Sequence, residues 1–173
     1  NVPRIITTFR GLPPILRPEL LRPEMETMYK ALHKVPGVTF SANSRSTAQA
    51  YENWLNLPSG AIHVLSNCVP ALLPDGDEGD RDSWSHILSV SPNCDTTVLG
   101  IFRFDHNKRP GYWVDLAVEY CRAAQNTRFI IVGSGVEFSN CQTMIANANM
   151  QDRVFLAGLS QKVGFWLHRA DVL

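Results

Sequence analysis

Net charge is the first thing this chain lacks. Sixteen Lys and Arg balance sixteen Asp and Glu over 173 residues, which argues against a general partner in nucleic acid or anionic membrane, so any anion site must be local. Cysteine is sparse as well. Positions 68, 94, 121 and 141 form no C-x-x-C pair and have no accompanying histidine pair, so neither a zinc site nor a redox motif is indicated, and the thiols read as reduced in a cytoplasmic protein. No apolar run approaches the roughly 18 residues of a membrane span. The opening residues, NVPR, hold neither an initiator Met nor an apolar signal region, so a chain cut from something longer is expected. Also absent are a G-x-S-x-G elbow, a P-loop and an H-E-x-x-H pair. His33, His63, His86, His106 and His168 are scattered, and none stands beside a serine or cysteine in a nucleophile-like setting.

What is present is a soluble, globular balance, 45% hydrophobic and 18% charged, long enough for one ordinary domain or two small ones. Residues 3–9 are β-branched and short, a strand running into Arg10 and a proline-rich loop. With Pro13, Pro14, Pro18 and Pro23 in the way, no helix is expected before about Glu24. Met25, Met28, Tyr29 and Leu32 then fall on one helical face. A strand over 38–42 follows, then a helix capped by the S-x-x-Q form at 46–49 with Ala48, Tyr51, Trp54 and Leu55 inward. A third strand covers 61–65. Strand and helix alternating in this way predict a parallel α/β layer.

Between Pro70 and Pro92 the run LPDGDEGDRD at 73–82 is acidic, contains glycine and lacks periodicity, and is read as a solvated loop connecting two domains. Its aspartates lack the further glutamate of an EF-hand loop. Alternation then resumes with a strand over 96–104 and a helix from Pro110 with Trp113, Leu116, Ala117, Tyr120, Cys121 and Ala124 inward. An apolar strand over 129–132 is followed by a helix with Cys141, Met144, Ile145 and Ala148 inward. A strand from Arg153 to Gly158, a short helix with Val163, Trp166, Leu167 and Ala170 inward, and the start of another strand at 171–173 complete the pattern.

Ligands of an open parallel sheet bind outside the carboxyl ends of its strands. Arg103 and Lys108 flank one such end, where a bidentate guanidinium and a point-charge ammonium can clamp a diphosphate beside a helix N-terminus. A solvated pair of surface cations is the plain alternative. His106 lies in the same loop and is kept as a candidate. Gly133, Ser134 and Gly135 follow a buried strand and precede a helix, where missing side chains let a ligand approach the backbone. A tight turn would explain them equally. Phe138 occupies the third glycine position of G-x-G-x-x-G, which disfavours a dinucleotide site.

Taken in order and spacing, LGIFR at 99–103, KRP at 108–110, FIIVGSG at 129–135, DRVFLAG at 152–158 and ADVL at 170–173 resemble the nucleotide-sugar domain of retaining GT-B glycosyltransferases of the large family 4. SANS at 41–44 and IHVLSNCV at 62–69 resemble the end of that fold's N-terminal domain, with Cys68 where the family commonly has glycine. The resemblance implies an α/β fold of parallel-sheet, Rossmann-like layers, GT-B type, truncated at both ends. Residues 1–69 would be the latter part of the acceptor-side domain, 70–95 an acidic interdomain connection, and 96–173 the first part of the nucleotide-sugar-binding domain.

The implied activity is transfer of a sugar from a UDP- or GDP-sugar to a glycan or lipid-linked acceptor with retention, in cell-surface polysaccharide or lipopolysaccharide synthesis, without metal or cofactor. Arg103 and Lys108 match the catalytic pair holding the donor diphosphate. Gly133, Ser134 and Gly135 match the turn lining the nucleotide, and Gly158 with Leu159 the loop whose backbone meets the base. The family's paired-glutamate motif would lie past Leu173, so little or no turnover is expected of this chain by itself. Membrane-surface association of the parent and self-association through open sheet edges stay open as further partners. The alternatives are a non-catalytic nucleotide-sugar binding module, a nicotinamide-dependent oxidoreductase and a sugar-nucleotide epimerase of the same fold.

Overall fold

A computed structural model describes residues 3–173. The chain divides between Val69 and Pro70 into two compact units. In the first, strands β1 (Ile5–Phe9), β2 (Val38–Ala42) and β3 (His63–Val64) form a parallel sheet in that order, linked by helices α1 (Met25–His33) and α2 (Arg45–Leu55). The expected third strand over 61–65 is thus only two residues long. Proline keeps α-helix out of the segment before α1 and leaves two single 3-10 turns, Pro14–Leu16 and Pro18–Leu20.

Alternation along the strands sends Phe9, Phe40 and Ala42 to one face, where they pack on Ala48, Tyr51 and Leu55 of α2 and on Tyr29 and Leu32 of α1. Met28, expected on the inward face of α1, is exposed instead. The cap of α2 is Ser44, two residues before the predicted Ser46: its hydroxyl accepts from the Thr47 N–H at 3.2 Å. Glu52 of α2 is buried, and one carboxylate oxygen accepts from the N–H groups of Gly60 (2.9 Å) and Ile62 (3.0 Å), tying the turn before β3 to the helix.

The second unit holds α3 (Glu78–Val90), β4 (Thr96–Ile101), α4 (Pro110–Ala123), β5 (Thr127–Val132), α5 (Phe138–Asn147), β6 (Val154–Gly158) and α6 (Val163–Leu167). Its strands pair in parallel in the order β4-β5-β6. Every residue of β5 is buried. Phe129 and Ile131 face Val114, Ala117, Val118 and Cys121 of α4 with Cys141 and Ile145 of α5. Ile130 and Val132 face Ile87 of α3 with Phe165 and Trp166 of α6. Helices therefore cover both faces, as the apolar sequence of β5 requires.

Two expectations are corrected here. The acidic stretch is not an unpatterned loop, because Asp77 and Asp80 form a reciprocal capping box that starts α3. Asp80 is buried and accepts a hydrogen bond from the Trp166 indole N–H at 2.9 Å, which fastens α3 to α6. On α4 the inward stripe is Val114, Ala117, Val118 and Cys121, whereas Leu116 and Tyr120 are exposed. The helix is apolar over much of its circumference, and the tertiary packing chose between two overlapping stripes. Among the described residues no helix is long and apolar enough to cross a membrane.

Candidate functional site

Parallel pairing puts the carboxyl ends of β4, β5 and β6 on one edge, and the register makes them level. Ile101 pairs with Val132, and Val132 with Gly158. The chain leaves the sheet at these three positions, so the segments after β4, β5 and β6, each carrying predicted site residues, start side by side. On its other side β4 bridges in parallel to the last residues of the chain through Val98 and Val172. Chain order therefore reverses at β4, and the loop beyond β4 sits at the reversal, where open α/β sheets bind ligands.

Alternation continues past β4. Phe104 is fully buried and Phe102 half-buried, which leaves the intervening Arg103 outward with its side chain 74% exposed. The aromatic floor is continuous: Phe104 meets Phe102 at 5.7 Å and Phe138 at 5.0 Å between ring centroids. Phe138, at the position of an absent third glycine, thus fills the space under the loop. A single 3-10 turn, His106–Lys108, presents Lys108 to solvent. Arg109 then takes the left-handed conformation (φ 50°) so that Pro110 can open α4 as its first residue.

Gly133 and Gly135 do something the sequence did not reveal. A Cβ on Gly133 would lie 1.9 Å from the Phe102 carbonyl oxygen, and one on Gly135 would lie 2.7 Å from that of Phe104. The missing side chains admit the backbone of the Arg103 segment itself. Three bonds complete the junction: the N–H of Phe102 donates to Val132 (3.2 Å), that of Phe104 to Ser134 (2.9 Å), and that of Glu137 back to Phe104 (2.9 Å). Ser134 is exposed beside it. The loop after β6 joins through the Gly133 N–H, which donates to the Gly158 carbonyl at 2.7 Å. Gly158 has φ +79° with open space where a Cβ would be, and Leu159 is exposed.

Electrostatically the loop is mixed. Asp105 Oδ2 lies 3.3 Å from Arg103 Nη2, and His106 Nδ1 lies 3.0 Å from Glu137 Oε1, whose other oxygen accepts from Asn140 Nδ2 at 3.1 Å. Ion pairs this exposed are worth roughly 0–1 kcal/mol, so the Arg103 guanidinium is held only weakly by Asp105. Sequence reading missed Asp105 and Glu137. The one signal for Glu137 was its place at the start of the helix following the glycines.

No family model matches the chain. Over 173 aligned residues it is 36% identical to the Vi polysaccharide biosynthesis protein VipC/TviE of Salmonella typhi, a match covering 99% of this chain and 30% of that protein. The chain thus spans about 30% of the length of the curated relative it matches. Among solved structures, Anabaena Alr3699/HepE in complex with UDP superposes with a TM-score of 0.68 at 19% identity, covering 95% of this chain and 44% of that one. TarM superposes with a TM-score of 0.60 at 17% identity, covering 87% and 26%. The shared fold is α/β, of parallel-sheet Rossmann-like layers, GT-B type.

Proposed function

We propose that this chain is part of a retaining GT-B glycosyltransferase of family 4 that works in polysaccharide synthesis, with Arg103 and Lys108 binding the diphosphate of a UDP- or GDP-sugar. The observation that carries the reading is the junction after β4 and β5. Gly133 and Gly135 seat the Phe102–Phe104 backbone, and that seating aims Arg103 outward at the level edge of the sheet. Similarity to a polysaccharide biosynthesis protein and to a fold solved with UDP in HepE supports the substrate class.

In such a transfer the bond from the anomeric carbon to the diphosphate oxygen breaks with its electron pair staying on the diphosphate, while an acceptor hydroxyl oxygen bonds to that carbon and its proton passes to the departing diphosphate. Fixed cations at that place stabilise the developing charge, which is the chemistry a metal would otherwise supply. Gly158 and Leu159 offer open backbone for the base at the same level edge of the sheet, and Gly133 with Ser134 and Gly135 would border the nucleotide. The acceptor is a glycan or lipid-linked sugar, and the site is on the cytoplasmic side.

Titration of the full chain with UDP and with GDP tests this. Losing a charge-assisted hydrogen bond of roughly 1.5–3 kcal/mol weakens binding by about tenfold or more, so Arg103→Ala and Lys108→Ala should each do so while leaving the fold intact. Unchanged affinity in both variants would remove the proposal.

A further inference from the structure

The first unit has a carboxyl edge of its own, and the proposed donor site makes no use of it. Phe9 pairs with Ala42, and Ala42 with Val64, so β1, β2 and β3 also end level. Beyond them the backbone stays laced: the Asn43 N–H donates to Phe9 at 3.1 Å and the Leu65 N–H to Ala42 at 2.8 Å. Above this edge lies a cavity of about 470 Å3 lined by Thr8, Arg10, Asn43, Ser66, Asn67 and Cys68, with Leu65 as its apolar wall. That volume falls within the range of small-molecule sites, about 300–1,000 Å3.

The lining has a definite chemistry. Arg10 is its single charge, no Asp or Glu faces it across the cavity, and none of the ion pairs among the described residues engages it. Asn43, Asn67 and Ser66 add neutral donors and acceptors. The Thr8 hydroxyl lies 2.7 Å from that of Ser41, and the Ser41 hydroxyl donates to the Thr7 carbonyl at 3.2 Å. Since Ser41 has one proton and spends it on that carbonyl, Thr8 must donate to Ser41, which leaves the Thr8 oxygen as an acceptor toward the cavity. One guanidinium, two amides and hydroxyl groups match a compact ligand bearing one anion and several hydroxyls.

We propose that the first unit binds an acidic sugar, its carboxylate or phosphate on Arg10 and its hydroxyls on Thr8, Asn43, Ser66 and Asn67. Assigning that sugar to the acceptor of the transfer rests on the function proposed above, whereas the binding itself does not. Cys68 provides the readout. It is the exposed one of the four cysteines, the others being buried, and it borders the cavity.

The test follows labelling of Cys68 by a maleimide on the full chain in the presence of glucuronate, glucose 1-phosphate, glucose or inorganic phosphate. At a ligand concentration ten times Kd, occupancy slows labelling about tenfold. Slowing by glucuronate, by glucose 1-phosphate or by both supports the site and identifies the acidic group it prefers. Arg10→Ala should abolish the slowing, Arg10→Lys should retain part of it, and Arg103→Ala should not change it. The proposal is overturned if neither acidic sugar slows labelling, if glucose slows it as well as the acidic sugars do, if inorganic phosphate protects as strongly as a protecting glucose 1-phosphate, or if Arg10→Ala behaves as the native chain. Loss of UDP binding with this protection intact would discard the donor reading and leave the acidic-sugar site standing.

Discussion

The two sheets share a topology and differ in how they are covered. In the second unit, β5 alternates Phe129 and Ile131 toward α4 and α5 with Ile130 and Val132 toward α3 and α6, so helices close both faces. In the first, both helices lie on the face of Phe9 and Phe40, while Ile6 on the opposite face is 70% exposed. An apolar residue on a strand therefore stabilises in proportion to what lies over its own face, and the same residue type has different worth in the two units. Ile130→Ala, removing a fully buried side chain, should cost about 2–5 kcal/mol. Ile6→Ala should stay within about 0.5 kcal/mol. Denaturant unfolding followed by tryptophan fluorescence measures both, and equal losses would break the contrast.

A subtler version of the same contrast concerns glycine. Gly60 in the first unit has φ +84° and nothing within 4 Å of the place a Cβ would take, whereas Gly133 has φ +149° and the Phe102 carbonyl oxygen 1.9 Å from that place. Gly60→Ala thus meets backbone strain alone, about 1–2 kcal/mol. Gly133→Ala must in addition push the Arg103 segment off its seat. The expected result is a larger stability loss than at Gly60 together with weakened UDP binding, whereas Gly60→Ala leaves binding unchanged. Thermal melts paired with nucleotide titration separate the two effects, and a Gly133→Ala variant that binds UDP normally would show that the junction does not aim Arg103.

These positions also mark what could be read from sequence. The strand and helix order was legible because β-branched runs and 3.6-residue stripes alternate, and Pro110 at the head of α4 obeys its own local rule. Helix α3 was not, since the acidic composition of 73–82 masked an Asp-x-x-Asp capping box whose second member is buried against Trp166. Composition averages over a stretch, but one cap and one indole partner are decided by single atoms. At the site, the place of Arg103 at the carboxyl end of a strand was legible, whereas the inward turn of Phe102 and Phe104 on either side of it came only with the structure. The glycines were expected to admit a ligand or to make a tight turn, and the close approach they are seen to permit is that of the chain's own backbone, about 30 residues earlier in sequence. Long-range proximity of that kind leaves no local mark.

The smallest expected difference between the units is their response to alkali. Burial pushes the thiols of Cys121 and Cys141 up from the ordinary value of 9.0, with the Arg153 guanidinium opposing the shift at Cys121. In the first unit burial likewise pushes the Tyr51 phenol up from 10.0. Each group is neutral when protonated and holds its proton more tightly folded than unfolded, so its contribution is fully present below the unfolded value and lost as pH rises through the folded one. Unfolding midpoints should therefore begin to fall near pH 9 through the second unit and nearer pH 10 through the first. Replacing Cys121 and Cys141 together by Ala should flatten the decline between about pH 8 and 10, and Tyr51→Phe should leave that part unchanged. A decline untouched by the cysteine replacements would place the alkaline sensitivity elsewhere, because neither Cys121 nor Cys141 could then be releasing a proton only on unfolding.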